Sequence, residues 1–180
     1  MTPLPFPLPA VLATLVVLAA VLDFRSRTVP NWLTVSGAVA GVALHVWLNG
    51  WGGLRFSLLG LGLGFLIFLP LFALRGMGGG DVKLMAAVGA MAGVSNTFVI
   101  FILTAVLGGV LAVGMLLWKG GLGRTLRNVG YILSQLVRGK APHQERPELD
   151  IDQSSSLKLP YAIPIALGTL LYLVGTLPRI

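Results

Sequence analysis

The sequence predicts an all-α fold, in which six transmembrane helices form one polytopic membrane bundle and a single domain over residues 1–180. Two properties lead to this prediction. Hydrophobic residues make up 56% of the chain and charged residues 11%, and the mean hydropathy is +0.89, which is too apolar for a soluble domain of this size. The apolar residues also gather into runs that approach the roughly 20 residues needed to cross a bilayer.

Six apolar runs cover most of the chain. They are residues 6–22, 32–48, 54–74, 82–94, 97–118 and 159–177. The fourth run is short and could instead form a re-entrant segment, so the count depends on charge. If all six runs cross and the N-terminus is outside, every Lys and Arg except Arg55 and Arg179 falls on the cytoplasmic side, as the positive-inside rule requires. The C-terminus is then outside as well.

The one long polar stretch, residues 119–158, is predicted to be a cytoplasmic loop. Leucine and valine recur at helical intervals over residues 122–138, with arginines off that stripe, which predicts an interfacial helix. Residues 139–156 are polar and predict a mobile segment.

Composition also excludes several kinds of site. The chain has no cysteine, which rules out disulfides and thiol catalysis, and its two histidines are too far apart in sequence to suggest a metal site. We therefore expect no metal and no cofactor. The formal charge of +7 is explained by cytoplasmic loops facing membrane lipid, so we expect no nucleic-acid partner.

Asp23 and Asp81 are the only acidic residues in the first 144 positions. Each lies where an apolar run meets a short polar turn, and an acid at the edge of a membrane span usually has a function because its desolvation is costly. The six-span topology brings both to the cytoplasmic membrane face. Asp81 follows a glycine-rich segment, residues 76–80, which lets another backbone pass close by.

Two carboxyl groups that share a site can act as acid and base. Each disfavours the ionisation of the other, so one holds a proton while the other takes a proton from an attacking water, as in aspartic proteases. Three alternatives remain open at this point. Asp23 could be a topology anchor beside arginines and Asp81 a helix cap, both acids could relay protons in a small transporter or export component, or the protein could be a non-catalytic scaffold.

Three segments of the chain resemble the type IV prepilin peptidases, which are GxGD aspartic membrane proteases. Residues 23–34 (DFRSRTVPNWLT) are similar to the first-aspartate segment, residues 78–84 (GGGDVKL) to the GxGD motif, and residues 160–166 (PYAIPIA) to the opening of the last span. The resemblance implies an inner-membrane endopeptidase that removes the basic leader of prepilins at the cytoplasmic face, with Asp23 and Asp81 as its catalytic pair.

The resemblance also bears on methylation and on the residues around the pair. Larger members carry a cytoplasmic domain with paired cysteines and methylate the new N-terminus, so this cysteine-free chain is closer to the short peptidases of tight-adherence (Flp) pilus systems and we expect no methyltransferase activity. We expect six residues to shape the site or orient the substrate. They are Arg25, Pro30, Asn31, Gly78, Gly80 and Lys83.

Overall fold

The computed structural model describes residues 3–73, 77–119 and 161–176, and over these residues it has four α-helices. They are α1 (Leu8–Ser26), α2 (Asn31–Ala73), α3 (Gly79–Lys119) and α4 (Ala162–Thr176). The all-α prediction is confirmed. The predicted interfacial helix over 122–138 and the polar segment over 139–156 lie outside the described residues.

The predicted count of six transmembrane helices is not supported by these helix boundaries. Within the described ranges, three helices are long and apolar enough to cross a membrane, namely α1, α2 and the Gly79–Met115 part of α3. The fourth, α4, is a shorter apolar helix of 15 residues. The difference arises because the runs 32–48 and 54–74 both lie in α2, and the runs 82–94 and 97–118 both lie in α3.

Both long helices are interrupted by a glycine with non-helical backbone angles. Gly50 has φ 54° and ψ −131°, and Gly93 has φ 74° and ψ 173°. Glycine reaches positive φ without the steric cost that a Cβ atom adds, so these two residues allow a sharp change of direction. We call residues 31–49 and 51–73 the first and second arms of α2, and residues 79–92 and 94–119 the first and second arms of α3.

The two arms of α2 fold back beside each other at Gly50. The ring centroids of His45 and Phe56 are 4.9 Å apart, whereas the same two positions in a straight helix would be separated by about 16 Å along its axis. Next to the bend, a Cβ atom on Gly53 would overlap the carbonyl group of His45. The absence of a side chain at Gly53 therefore lets the second arm turn back at once.

The arms of α3 fold back in the same way at Gly93. The second arm of α2 contacts both of them: Gly64 lies against Met85 of the first arm, and the Phe68 ring, one turn further on, lies 5.9 Å from the Phe101 ring of the second arm. In a straight helix, residues 85 and 101 would lie about 24 Å apart along the axis. Their partners Gly64 and Phe68 are only about one helical turn apart, so α3 must fold back between residues 85 and 101.

The first arm of α3 forms the centre of the bundle. From Asp81 to Gly93 every residue except Lys83 is buried. Neighbouring helices approach it closely, because Gly60 meets Gly89 backbone to backbone and the Ser57 hydroxyl donates a 2.6 Å hydrogen bond to the Ala90 carbonyl. Small residues at such crossings let helices pack closely. In a membrane this packing holds helices together, because hydrophobic burial does not drive them to associate there. The short predicted run 82–94 is thus enclosed by other helices.

The two ends of the bundle are formed by different parts of the chain. Both bends lie at one end, where the start of the chain also packs: Pro5, His45 and Asn96 line a cavity of about 260 Å³ there. The end of α1 and the beginnings of α2, α3 and α4 lie at the other end, which we call the acid end because it carries Asp23 and Asp81.

Candidate active site

Asp23 lies in the last turn of α1 with only 6% of its surface exposed. Its Oδ2 atom accepts a 3.2 Å hydrogen bond from the backbone N–H of Ala162, the first residue of α4. The first N–H groups of a helix lack partners within that helix and favour a nearby carboxylate. The packing of α4 against α1 therefore gives the Asp23 carboxyl a fixed hydrogen-bond partner from a distant part of the chain.

The backbone just after Asp23 stops α1 abruptly. Arg27 adopts the left-handed conformation, with φ 56° and ψ 26°, and its N–H donates a 2.8 Å hydrogen bond to the Asp23 carbonyl. This left-handed closure is a common way to end a helix, although a residue other than glycine adopts it at some steric cost. The chain then turns towards α2.

Asp81 lies in the first turn of α3 and is 8% exposed. Its backbone N–H donates a 3.2 Å hydrogen bond to the Gly78 carbonyl. A Cβ atom on Gly78 would lie 3.3 Å from Oδ2 of Asp81, closer than most side chains tolerate. The missing side chain at Gly78 therefore leaves the tip of the Asp81 carboxyl uncrowded.

Contacts between helix ends place both acids where α1 ends and α3 and α4 begin. Asp23 bonds to Ala162 of α4, and Gly80, the neighbour of Asp81, packs against Val29 in the turn that follows α1. Tyr161 directly precedes Ala162, whose N–H binds Asp23. Two buried carboxyl groups and one phenol thus share a small region where three helix termini meet.

Gly80 brings the turn after α1 against the start of α3. A Cβ atom on Gly80 would lie 3.2 Å from the Val29 Cβ atom and 3.4 Å from both the nitrogen and the oxygen of Val29. Because these neighbours include backbone atoms, they cannot swing aside as a flexible side chain would. The position of the segment that follows Asp23, relative to Asp81, therefore depends on glycine at position 80.

We expect Gly80→Val to lower the peptide cleavage that the sequence resemblance implies by about ten- to a hundredfold, because a small displacement of one reacting group from another has effects of this size. The matched control is Gly79→Val, since among the described residues a Cβ atom on Gly79 meets only the ring of Phe72, at 3.4 Å or more. Cleavage rates and folded yields of both variants in detergent would be compared. Equal rates for the two variants would contradict the role assigned to Gly80.

The other predicted site residues lie around the acid end but contact different partners. The Lys83 Nζ atom donates a 3.0 Å hydrogen bond to Oδ1 of Asn31, linking the starts of α3 and α2. The Pro30 carbonyl accepts hydrogen bonds from the N–H groups of Leu33 and Thr34 as α2 begins. The first contact links two helix ends, and the second closes the first turn of α2.

Arg25 is not brought to the acid pair. It is exposed on the last turn of α1, and because it is two residues from Asp23 it points roughly 200° away around the helix axis.

In the described ranges, no three His, Asp or Glu side chains are placed to hold a metal ion. The side chains of this region that can exchange protons include the two carboxyls and the Tyr161 hydroxyl.

Sequence reasoning did not identify the Ala162 N–H group, Tyr161 or Val29 as parts of this region. Tyr161 and Ala162 lie in the PYAIPIA segment, which served only to mark the opening of the last predicted span. A backbone N–H group carries no residue-specific signal, and Val29 resembles any other apolar residue in a turn. Their positions follow from the packing of α4 and of the 27–30 turn.

Comparison with known proteins gives one family match. The sequence model of the type IV leader peptidase family matches residues 10–113, which is more than half of the chain and includes both acids. No curated protein and no solved structure matches the chain.

Proposed function

The chain belongs to the type IV leader peptidase family, and on that premise we propose that it is an aspartic endopeptidase that cleaves the leader peptide from prepilin-like proteins. The family and the long apolar helices make it a multi-pass membrane protein. The observation that supports the proposal is the burial of Asp23 and Asp81 at the end of the bundle where α1 ends and α3 and α4 begin. We assign both acids as the catalytic pair.

In the proposed reaction one carboxyl is ionised and the other is protonated. The ionised carboxyl takes a proton from a water molecule as that water attacks the peptide carbonyl carbon, and the protonated carboxyl donates a hydrogen bond to the oxygen on which negative charge develops. The C–N bond then breaks, and the departing amine receives a proton from the pair. We assign Tyr161 to the border of the space in which the peptide would lie, because it directly precedes Ala162, whose N–H binds Asp23.

The proposed topology has α2 and α3 each crossing the membrane twice, because each folds back at its glycine. Together with α1 and α4 this makes six crossing segments in the inner membrane of a bacterium. The acid end then faces the cytoplasm, which agrees with the distribution of the described cations: Arg25, Arg27 and Lys83 lie at the acid end, and Arg55 lies near the bend at Gly50.

The proposed substrate is a prepilin of the Flp or type IV pilin-like kind, with a short basic leader. Site-shaping roles are proposed for Gly78 and Gly80, which leave room around Asp81 and Val29. The alternative of a proton-coupled transporter is not favoured, because the family match is to peptidases.

The direct test is cleavage of a prepilin-like protein by the purified full-length chain in lipid vesicles. We expect loss of the leader, seen as a smaller product whose new N-terminus can be sequenced, and we expect cleavage to continue in the presence of a metal chelator. Failure to cleave any prepilin-like protein offered, under conditions where the protein is inserted and folded, would contradict the proposed function.

A further inference from the structure

A partly polar cavity lies at the end of the bundle opposite the acid end, which we call the bend end. Its volume is about 260 Å³, and three parts of the chain line it. Pro5 belongs to the start of the chain, and Asn96 follows the bend of α3. His45 and Phe56 come from the two arms of α2, on either side of the bend in that helix. An occupant of the cavity would therefore bridge both bends.

The wall of the cavity includes a histidine that lacks one hydrogen bond. His45 is 3% exposed, and its Nε2 atom lies 2.9 Å from the carbonyl oxygen of Met91. Because a carbonyl oxygen only accepts hydrogen bonds, Nε2 carries the proton, and Nδ1 of the neutral ring is an acceptor. Among the described residues no group donates to Nδ1. A buried acceptor without a partner is costly, so the site favours an occupant that carries a donor.

The rest of the wall favours a hydroxyl group as that donor. Asn49 and Asn96 add two amides, and Phe56, whose ring centroid lies 4.9 Å from that of His45, adds an apolar face. None of the described lining residues is an acid. An ammonium group would therefore lose its water without gaining a countercharge, which costs far more than burying a hydroxyl that finds hydrogen-bond acceptors.

A cation without a countercharge lies beside the cavity. Arg55 follows Gly52, which lines the cavity, by three residues in the second arm of α2, so the two lie on the same face of the helix. Arg55 is exposed, and the acids of the described ranges, Asp23 and Asp81, are both at the acid end. The guanidinium group of arginine matches the geometry of a phosphate group, which it can bind through two parallel hydrogen bonds.

The bend end also carries the residues that are typical of a membrane surface. Trp47 and Trp51, both largely exposed, lie on either side of Gly50, and tryptophan is enriched at the level of the lipid headgroups. In the proposed topology the bend end lies at the non-cytoplasmic surface of the membrane. A phospholipid headgroup at this level would meet Arg55 and the mouth of the cavity together.

We propose that the bend end is a binding site for one anionic phospholipid with a hydroxyl-bearing headgroup, phosphatidylglycerol. Its phosphate pairs with Arg55, and its glycerol hydroxyls enter the cavity among His45, Asn49 and Asn96. Charge complementarity selects the phosphate, and the uncharged polar wall selects the hydroxyls. Because this lipid bridges both bends, it stabilises the folded bundle. The site is separate from the acid end and depends only on the proposed topology, and its test does not use peptide cleavage.

The first test compares lipids on the purified full-length protein in detergent. The midpoint of heat-induced unfolding is measured with added phosphatidylglycerol, with phosphatidylmethanol, which has the same charge but no hydroxyl, and with zwitterionic phosphatidylethanolamine. We expect phosphatidylglycerol to raise the midpoint by about 4 °C or more, as a ligand that binds only the folded state does, and each of the other two lipids by less than about half as much. An equal or larger shift with either of them would overturn the proposal.

The second test fills the cavity. Gly52→Leu places a side chain in it, because a Cβ atom on Gly52 would meet no atom of the described residues within 4 Å. Gly62→Leu is the matched control, since Gly62 lies in the same arm of α2, is equally open and does not line the cavity. We expect Gly52→Leu to lose the shift caused by phosphatidylglycerol and Gly62→Leu to keep it. A full shift in Gly52→Leu would show that the cavity is not the site.

The third test removes the cation without touching the cavity wall. We expect Arg55→Gln to raise the concentration of phosphatidylglycerol that gives half of the shift by about tenfold or more, as the loss of a charge-assisted hydrogen bond does. Arg25→Gln removes the same charge from an exposed position at the acid end and should change that concentration by less than about twofold. Equal effects of the two variants would mean that the lipid responds only to net charge, and the proposal would be wrong.

Discussion

Replacing either acid of the pair by its amide should abolish leader cleavage. Asp23→Asn and Asp81→Asn keep the size and shape of each side chain but remove a group that can gain or lose a proton. Since acid–base groups of this kind contribute about 10²- to 10⁴-fold to a rate, each variant should lose at least that much. Cleavage of a prepilin-like substrate is followed by the appearance of the shortened product, at equal amounts of membrane-inserted enzyme.

The double variant gives a sharper criterion. Residues that act as one unit are strongly non-additive, so Asp23→Asn combined with Asp81→Asn should be no slower than either single variant. Asp152→Asn, which removes one negative charge outside the described residues, controls for the change in net charge and should leave the rate within about twofold. Substantial cleavage by either single variant would remove that acid from the mechanism.

Adding one methyl group at the crossing of α2 and α3 should cause a large loss of stability. A Cβ atom on Gly60 would overlap the carbonyl oxygen of Gly89 and lie 2.7 Å from the Cα atom of Gly93. Both neighbours are backbone, so relief requires the two helices to move apart. We expect Gly60→Ala to destabilise the protein by about 1–3 kcal/mol or more, as overpacked cores do.

Gly62→Ala is the matched control for this effect. Gly62 lies two residues from Gly60 in the same arm of α2, and a Cβ atom there would meet no atom of the described residues within 4 Å. Both substitutions gain up to about 1 kcal/mol of helix propensity, so the difference between them isolates the packing cost. The midpoint of heat-induced loss of folded protein in detergent is measured for both. Equal midpoints would show that α2 and α3 do not meet as closely as the structure indicates.

The helical runs and the two acids could be predicted from sequence because their signals are local. Apolar runs near 20 residues long mark helices, and Asp23 and Asp81 stand out because no other acid occurs in the first 144 positions. The charge bias predicted that both acids lie at one end of the bundle, and both helix ends do meet there. The helix count was the weak point, because successive apolar runs adjoin directly at the bends, at Gly50 in α2 and at Gly93 in α3.

The sequence by itself determined the class of the protein: an all-helical membrane chain, in the type IV leader peptidase family, with two isolated acids available for catalysis. Only the tertiary structure decided what surrounds those acids. The hydrogen bond from the Ala162 N–H to Asp23 and the contact of Gly80 with Val29 both join segments far apart along the chain. Such contacts depend on how helices pack, and packing between distant segments leaves no periodic or compositional mark in either one.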